Sequence, residues 1–252
     1  MTKKLYDDDY LLQLQSILSA TVKRSLEVLG AKPGEQIADM GCGTGILAKS
    51  IADSGAAVYG IDNDAHFLSI ARENNHPVYP VQFIQASAGN TGLPAACLDK
   101  IIIHRVLQHI ENPEEVIMEC KRLLKPGGRL HIVEPDYLSW SFLMEHVVFE
   151  RKLIDEIAYH RLPNAHKVRL MPTMLKKNHF DISIREVHNY ILDSYELANY
   201  VIKFDNTVEE GLATNKFTKE EYDYWQQIKQ LPKGQFALSV NLVMIDSMLK
   251  EV

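Results

Sequence analysis

Gln36-Ile37-Ala38-Asp39-Met40-Gly41-Cys42-Gly43-Thr44-Gly45 runs from a short apolar stretch into a loop where every second residue is glycine. Residues 36–40 read as a buried strand and 46–53 as a helix, so the loop joins the carboxyl end of a strand to a helix N-terminus. Open parallel sheets bind ligands at such points. Glycines there let the backbone approach a ligand without a Cβ in the way. The G-x-G-x-G spacing is one residue shorter than the dinucleotide fingerprint. Asp39, two residues ahead of Gly41, discriminates better. A carboxylate there repels a pyrophosphate but can receive a cationic amino group, directly or through water.

The chain on either side alternates in the same way. Residues 10–29 carry Leu11, Leu14, Ile17, Leu18, Val22, Leu26 and Leu29 at helical spacing, and Gly30 ends the helix. Residues 56–61 form a second strand ending at Asp62, whose carboxylate can accept two hydrogen bonds from a diol. Asp64 caps a helix to Asn74. Strands follow at 81–84 and 100–103, then a helix at 113–124 with Pro113 in its first turn. A turn at 125–128 leads to a strand at 129–133. This pitch predicts an α/β fold, a doubly wound and mostly parallel sheet with helices on both faces. After Glu134-Pro135-Asp136 the pattern changes. Residues 139–161 and 166–179 read as helical, 181–192 as a strand, 194–213 and 218–230 as helical, and 235–247 as a last strand.

Composition excludes several classes. The chain has 252 residues, 46% of them hydrophobic, and a net charge of −6. Binding to phosphate backbones draws on Lys and Arg, so no nucleic-acid partner is expected. Cys42, Cys97 and Cys120 form no C-x-x-C pair, and a reducing cytoplasm is expected. Residues 1–10 lack the apolar run of a signal peptide, and no stretch approaches a membrane span. His160 and His166 have no ligand-spaced Cys or carboxylate nearby, so no metal is expected.

Residues 35–135 resemble the core of a class I, seven-stranded S-adenosylmethionine-dependent methyltransferase of the bacterial small-molecule type. Residues 37–45 are similar to that family's first motif, and Tyr59-Gly60-Ile61-Asp62 to its second. Val106-Leu107-Gln108-His109-Ile110 and Leu124-Lys125-Pro126-Gly127-Gly128-Arg129-Leu130 are similar to later ones. The resemblance implies S-adenosylmethionine as cofactor and S-adenosylhomocysteine as product. It implies that Asp39 anchors the amino group, that Gly41, Cys42, Gly43 and Gly45 bind the cofactor as its loop, and that Asp62 binds the ribose. Asn63, Ser87 and Ala88 would lie by the adenine, and His104 by the methionine end. Many relatives carry an acid where Ser87 stands, and a serine hydroxyl is a weaker acceptor.

The same resemblance weakens after Asp136. It implies one domain over 1–252, with an N-terminal lid helix (1–30), a cofactor-binding core (31–136), helical cap segments (137–180 and 193–232) and final strands (181–192 and 235–247). The cofactor supplies the reactivity, and the protein supplies alignment, desolvation and, where needed, a base. His104, Arg105 and Glu134 are the candidates for catalysis. Tyr6, Tyr10, Arg105, Tyr137 and Trp140 are the candidates for binding the acceptor. The expected partner is a small-molecule acceptor, with the protein a monomer or homodimer. Two alternatives share the fold: an enzyme that holds the cofactor while catalysing a cyclisation or elimination, and a protein that senses it. A nicotinamide-dependent oxidoreductase is a further one, disfavoured by the glycine spacing and Asp39.

Overall fold

The computed structural model of the chain describes residues 14, 16–76 and 78–250. Five strands run parallel: β1 (Gln36–Met40), β2 (Ala57–Asp62), β3 (Gln82–Gln85), β4 (Leu98–His104) and β5 (Leu124–Pro135). Their spatial order is β3-β2-β1-β4-β5, so the sheet reverses direction of growth between β1 and β4. A long strand, β8 (Leu238–Leu249), pairs antiparallel with β5, and β7 (Phe180–Leu192) pairs antiparallel with β8.

Both faces of the parallel strands are covered. Side chains alternate across a strand, so successive residues meet different helices. Ile37, Val58 and Ile102 pack under α1 (Ser19–Leu29) and α2 (Ile46–Ala52). Ala38, Met40, Ile61, Ile101 and Ile103 pack on the other face, against α4 (Pro113–Leu123) and α6 (Met171–Lys177). The helix between them in sequence, α3 (Ala65–Glu73), starts where expected. The Asp64 carboxylate accepts from the backbone N–H groups of His66 and Phe67, at 2.8 and 3.3 Å. Helix α1 ends at Gly30, which is left-handed at φ +52°. Across the sheet α1 is tied to β7 by Arg24, whose guanidinium grips Glu186 at 2.7 and 3.1 Å.

The residues after Asp136 build a second core rich in aromatic rings. Trp225 is fully buried on α9 (Lys219–Ile228). Phe142, Phe149, Tyr195 and Phe204 present their edges or faces to it, with centroids 5.6–6.1 Å away. Edge-to-face packing at this distance suits the ring quadrupoles.

Four expectations are corrected. The sheet has eight strands rather than seven, because Ser141–Phe142 forms β6 against Ser239 and Leu238 of β8. Strand β5 pairs with β8 only as far as Leu242, so the remaining edge of β8 is open and β6 takes it. The helix expected from 139 therefore begins later, as α5 (Val147–Asp155), and continues as a wider turn through Arg161. The helix expected over 194–213 is two helices, α7 (Tyr195–Ile202) and α8 (Phe204–Ala213), broken at Lys203 with φ +61°. The Asn199 side chain accepts from the Asp205 N–H and donates to the Asp205 carboxylate. Such local bonds compete with the helix ladder. The last strand also runs later than expected, over 238–249 rather than 235–247.

Candidate functional site

The reversal point between β1 and β4 opens into a cavity of about 610 Å³. The carboxyl ends of β1, β2 and β4 supply its floor. The glycine loop is pinned there from both sides. The N–H groups of Gly41 and Cys42 donate to the Ile61 carbonyl at 2.7 and 3.0 Å. The Gly43 N–H donates to the Asp62 carboxylate at 2.8 Å, and the second oxygen of Asp62 accepts from the Asp64 N–H at 2.9 Å. Gly41 sits at φ +75°, and a Cβ on it would meet Val106 at 2.4 Å. Only glycine allows this backbone to pass so close to the segment after β4.

Asp39 is buried at the end of β1, and its Oδ2 has no hydrogen-bond partner. Burial first, and then the charge of Asp62, pushes its carboxyl up to about 7. An unpartnered buried carboxylate oxygen facing a cavity is a site waiting for a donor. The Cys42 thiol, also buried, is pushed far up by desolvation and stays a neutral packing group.

Most residues expected to hold the cofactor line this cavity: Asp39, Gly41, Cys42, Gly43, Asp62, Asn63, Ser87, Ala88 and His104. Gly45 does not. It is the residue before α2, at φ +75°, and a Cβ there would meet the Phe83 ring at 2.7 Å. Its role is packing and backbone conformation. Gly45→Ala is expected to cost about 2–4 kcal/mol in urea denaturation of the ligand-free protein, from the left-handed backbone and the overpacked ring together.

His104 lies on the cavity wall with Nε2 buried and unpartnered. Burial first, then Arg105 and His131, pushes its pKa down to about 3. It is therefore a neutral hydrogen-bonding group near pH 7. Tyr6 and Tyr10 lie outside the described residues.

Glu134 lines neither this cavity nor the pocket next to it, which corrects its expected place among the reacting groups. It is buried, and its Oε1 accepts from the N–H groups of Val106 and Leu107 at 2.7 and 2.8 Å. Burial pushes its carboxyl up to about 7 against the pull of those bonds. Its geometry makes it a clamp on the backbone just after Arg105. Arg105 itself is left-handed, at φ +63°, a conformation that costs a residue with a side chain roughly 1–3 kcal/mol. Its N–H donates to the Val133 carbonyl at 2.8 Å, and its own carbonyl accepts from the Gln108 side chain at 3.2 Å. Of the acids near its guanidinium, Asp136 is held by Arg169 at 2.8 Å, while Glu134 gives Oε1 to the backbone, keeps Oε2 buried without a hydrogen-bond partner and feels the Arg105 charge.

A smaller apolar pocket of about 50 Å³ lies alongside, and Leu18 and Arg105 line both spaces. Tyr137 and Trp140 are in its wall, 4.2 Å apart between ring centroids. The Tyr137 hydroxyl donates to Gln108 Oε1 at 2.7 Å. Leu192, Val201, Ile202 and Val240 are among the aliphatic side chains of its apolar surface. Sequence reading missed Gln108, Arg161 and these four aliphatics. They come from five separate stretches of chain, Val201 and Ile202 sharing α7, and apart from Gln108, which sits in the 106–110 motif, no local motif marks them. Arg161, the other cation of the wall, donates to the Ile202 carbonyl, and to the Lys203 carbonyl and Thr207 hydroxyl at 3.3 Å. It ties off the end of α7.

A parallel sheet with this order, a glycine loop at its reversal point and an unpartnered acid beneath it define a nucleotide-fold domain with an open site at that point. Residues 38–132 match the family model described as a methyltransferase domain. That stretch is similar to a methyltransferase domain, and the fold around it is that of class I, S-adenosylmethionine-dependent methyltransferases. The chain is 32% identical over 112 residues to demethylmenaquinone methyltransferase of Tropheryma whipplei, covering 44% of this chain and 46% of that protein. It is 37% identical over 103 residues to ubiquinone biosynthesis O-methyltransferase of Pectobacterium atrosepticum, covering 38% and 41%. The chain thus spans less than half the length of these relatives. Among solved structures, phosphoethanolamine N-methyltransferase 2 of Haemonchus contortus, in complex with S-adenosyl-L-methionine, has the same fold. Its TM-score is 0.61 at 18% identity, over 99% of this chain and 59% of that one. No helix among the described residues is long and apolar enough to cross a membrane.

Proposed function

We propose that this protein is an S-adenosylmethionine-dependent methyltransferase that moves a methyl group to an O, N or C atom of a small molecule. The observation that carries this reading is Asp39 Oδ2, buried without a donor in a cavity walled by the matched loop. The cofactor supplies an activated methyl group. Asp39 would receive its ammonium, Asp62 its ribose hydroxyls, and Asn63, Ser87 and Ala88 would border its adenine. The apolar pocket beyond Leu18 and Arg105 would take the acceptor, so that the two spaces meet at one edge. The helices after Asp136 then shape the acceptor side as a cap on a single domain.

Calorimetry with S-adenosylhomocysteine tests the first half: micromolar binding is expected, and no binding at millimolar ligand would sink the reading. Mass spectrometry of reactions with S-adenosylmethionine and a library of small phenols, amines and carboxylates tests the second. Acceptor-dependent release of S-adenosylhomocysteine is expected. Conversion of a compound without that release would instead mark an enzyme that uses the cofactor without consuming it.

A further inference from the structure

We propose that Arg105 binds the acceptor as an oxyanion, and that the acceptor is a weak acid no larger on its apolar side than a single ring. The inference rests on the methyltransferase reading above and specifies its substrate class. Three observations carry it. The apolar pocket is lined by aliphatic and aromatic side chains together with Gln108, Arg105 and Arg161, and no carboxylate or histidine stands in its described wall. A nucleophile seated in it meets no general base in the described wall; the nearest imidazoles, His104 and His109, stand on the cofactor side of the shared edge. Gln108 is committed to Tyr137 and to the Arg105 carbonyl, and Arg161 to the end of α7. Of these three, Arg105 reaches the edge shared with the cofactor cavity; of its two neighbouring acids, Asp136 is paired with Arg169, and Glu134 spends Oε1 on two backbone N–H groups while its buried carboxyl still feels the Arg105 charge.

The fourth feature is how firmly Arg105 is held. Its backbone occupies a region that side-chain-bearing residues rarely adopt. It is locked there by Val133, by Gln108 and by the clamp of Glu134 on the next two N–H groups. Strained backbone that persists under this many constraints concentrates at ligand sites. A guanidinium carried on a fixed backbone at a partly buried edge stabilises an oxygen anion and lowers the pKa of a bound hydroxyl. In the transfer the oxygen's lone pair forms the new O–CH₃ bond while the C–S pair returns to sulfur. The negative oxygen and positive sulfonium both become neutral, and no proton moves in that step. The acid's proton has already left to solvent on binding. Other charged or titratable groups facing this edge are His104, His109, Glu111, Asp39, Asp62 and Asp64 in the cofactor cavity, Glu134 behind the backbone, and Arg161 across the pocket.

The test uses 4-nitrophenol, a single ring whose phenolate absorbs in the visible, titrated with pH while bound to the full chain saturated with S-adenosylhomocysteine. Its neutral methyl ether, 4-nitroanisole, is the isosteric control. The bound phenol is expected to ionise about one pH unit or more below the free one, and the phenolate to bind about tenfold or more tightly than the ether. Arg105→Gln should abolish both differences, and Arg105→Lys should retain part of them. Val240→Phe, which fills the pocket from β8 outside the cofactor cavity, should weaken phenolate and ether alike while S-adenosylhomocysteine still binds. Should it fail to fold, Val201→Phe serves from α7. An unshifted phenol, equal affinity for phenolate and ether, or an undiminished preference in Arg105→Gln overturns the proposal. If S-adenosylhomocysteine binds normally throughout, that failure leaves the methyltransferase reading standing. If it never binds, the reading beneath the proposal fails first.

Discussion

Asp39→Asn is expected to weaken S-adenosylhomocysteine binding about a hundredfold, roughly 2.7 kcal/mol, while leaving the ligand-free protein at least as stable as the parent at pH 8. The two effects come from one carboxyl. In the free protein Asp39 Oδ2 is buried without a donor, and burial with Asp62 pushes the group up to about 7. An ammonium placed there would supply the missing partner and bring the group back to its ionised form. Asparagine keeps the shape but removes the charge, and truncating one side of a buried charged pair is costly. The pH dependence follows with a definite sign. Below about pH 7 the free Asp39 is protonated, so binding must release a proton. Affinity should rise with pH, by up to about tenfold per unit, and level off above 7. In Asp39→Asn that dependence should vanish.

Stability moves the other way. The folded pKa lies above the unfolded value of 3.8, so the folded state holds a proton the unfolded chain has lost. This stabilising contribution is complete below pH 4 and is lost as pH rises through 7. At pH 8 the parent therefore carries an unsolvated charge that asparagine lacks, and the variant should gain on the order of 1–3 kcal/mol in urea denaturation. A variant that binds normally, or that is markedly less stable than the parent at pH 8, would show that Asp39 is a structural acid instead.

Trp225→Ala is the second large effect, expected to cost about 3–5 kcal/mol. The indole is fully buried on α9, is ringed by Phe142, Phe149, Tyr195 and Phe204, and its Nε1 donates to Asp205 at 3.3 Å. Removing it leaves a cavity in a core that shares Tyr137, Trp140, Leu192, Ile202 and Val240 with the wall of the apolar pocket. The parallel strands have their own two cores, built from other residues. The variant should therefore lose most of its thermal stability yet, below its transition, bind S-adenosylhomocysteine within a few-fold of the parent. Its affinity for 4-nitroanisole should fall by more than that. Equal loss at both sites would mean that the two halves are one cooperative packing unit.

The first half of the chain was legible because its signals are local. A buried strand, a glycine loop and a helix follow one another within about twenty residues, and Asp64 announces its helix by a cap that needs only its immediate neighbours. Beyond Asp136 the local signals conflict with long-range ones. Residues 139–146 have helical apolar spacing, yet Phe142 is drawn onto β8 because that strand outruns β5 and leaves an open edge. At Lys203 a side-chain pair, Asn199 and Asp205, outcompetes the helix ladder. Gly45 belonged to the matched motif but answers to the Phe83 ring rather than to the cavity. Glu134 looked like a base because it ends a strand at the ligand edge, yet it lines neither cavity there and its Oε1 holds two backbone N–H groups.

The sequence by itself determined the class of domain and the chemistry of its loop, since a glycine at left-handed φ and a carboxylate at a strand end are consequences of a few adjacent residues. Only the tertiary structure decided which charges remain available at the site. Arg105, Asp136, Glu134 and Arg161 are all charged in sequence. Folding pairs Asp136 with Arg169, gives one oxygen of Glu134 to the backbone and Arg161 to the end of α7. Arg105 is left at the edge of two cavities, held in a strained backbone by partners more than twenty residues away in Val133 and Glu134. Whether a charge is free to act depends on distances between elements, and those are set by packing rather than by spacing along the chain.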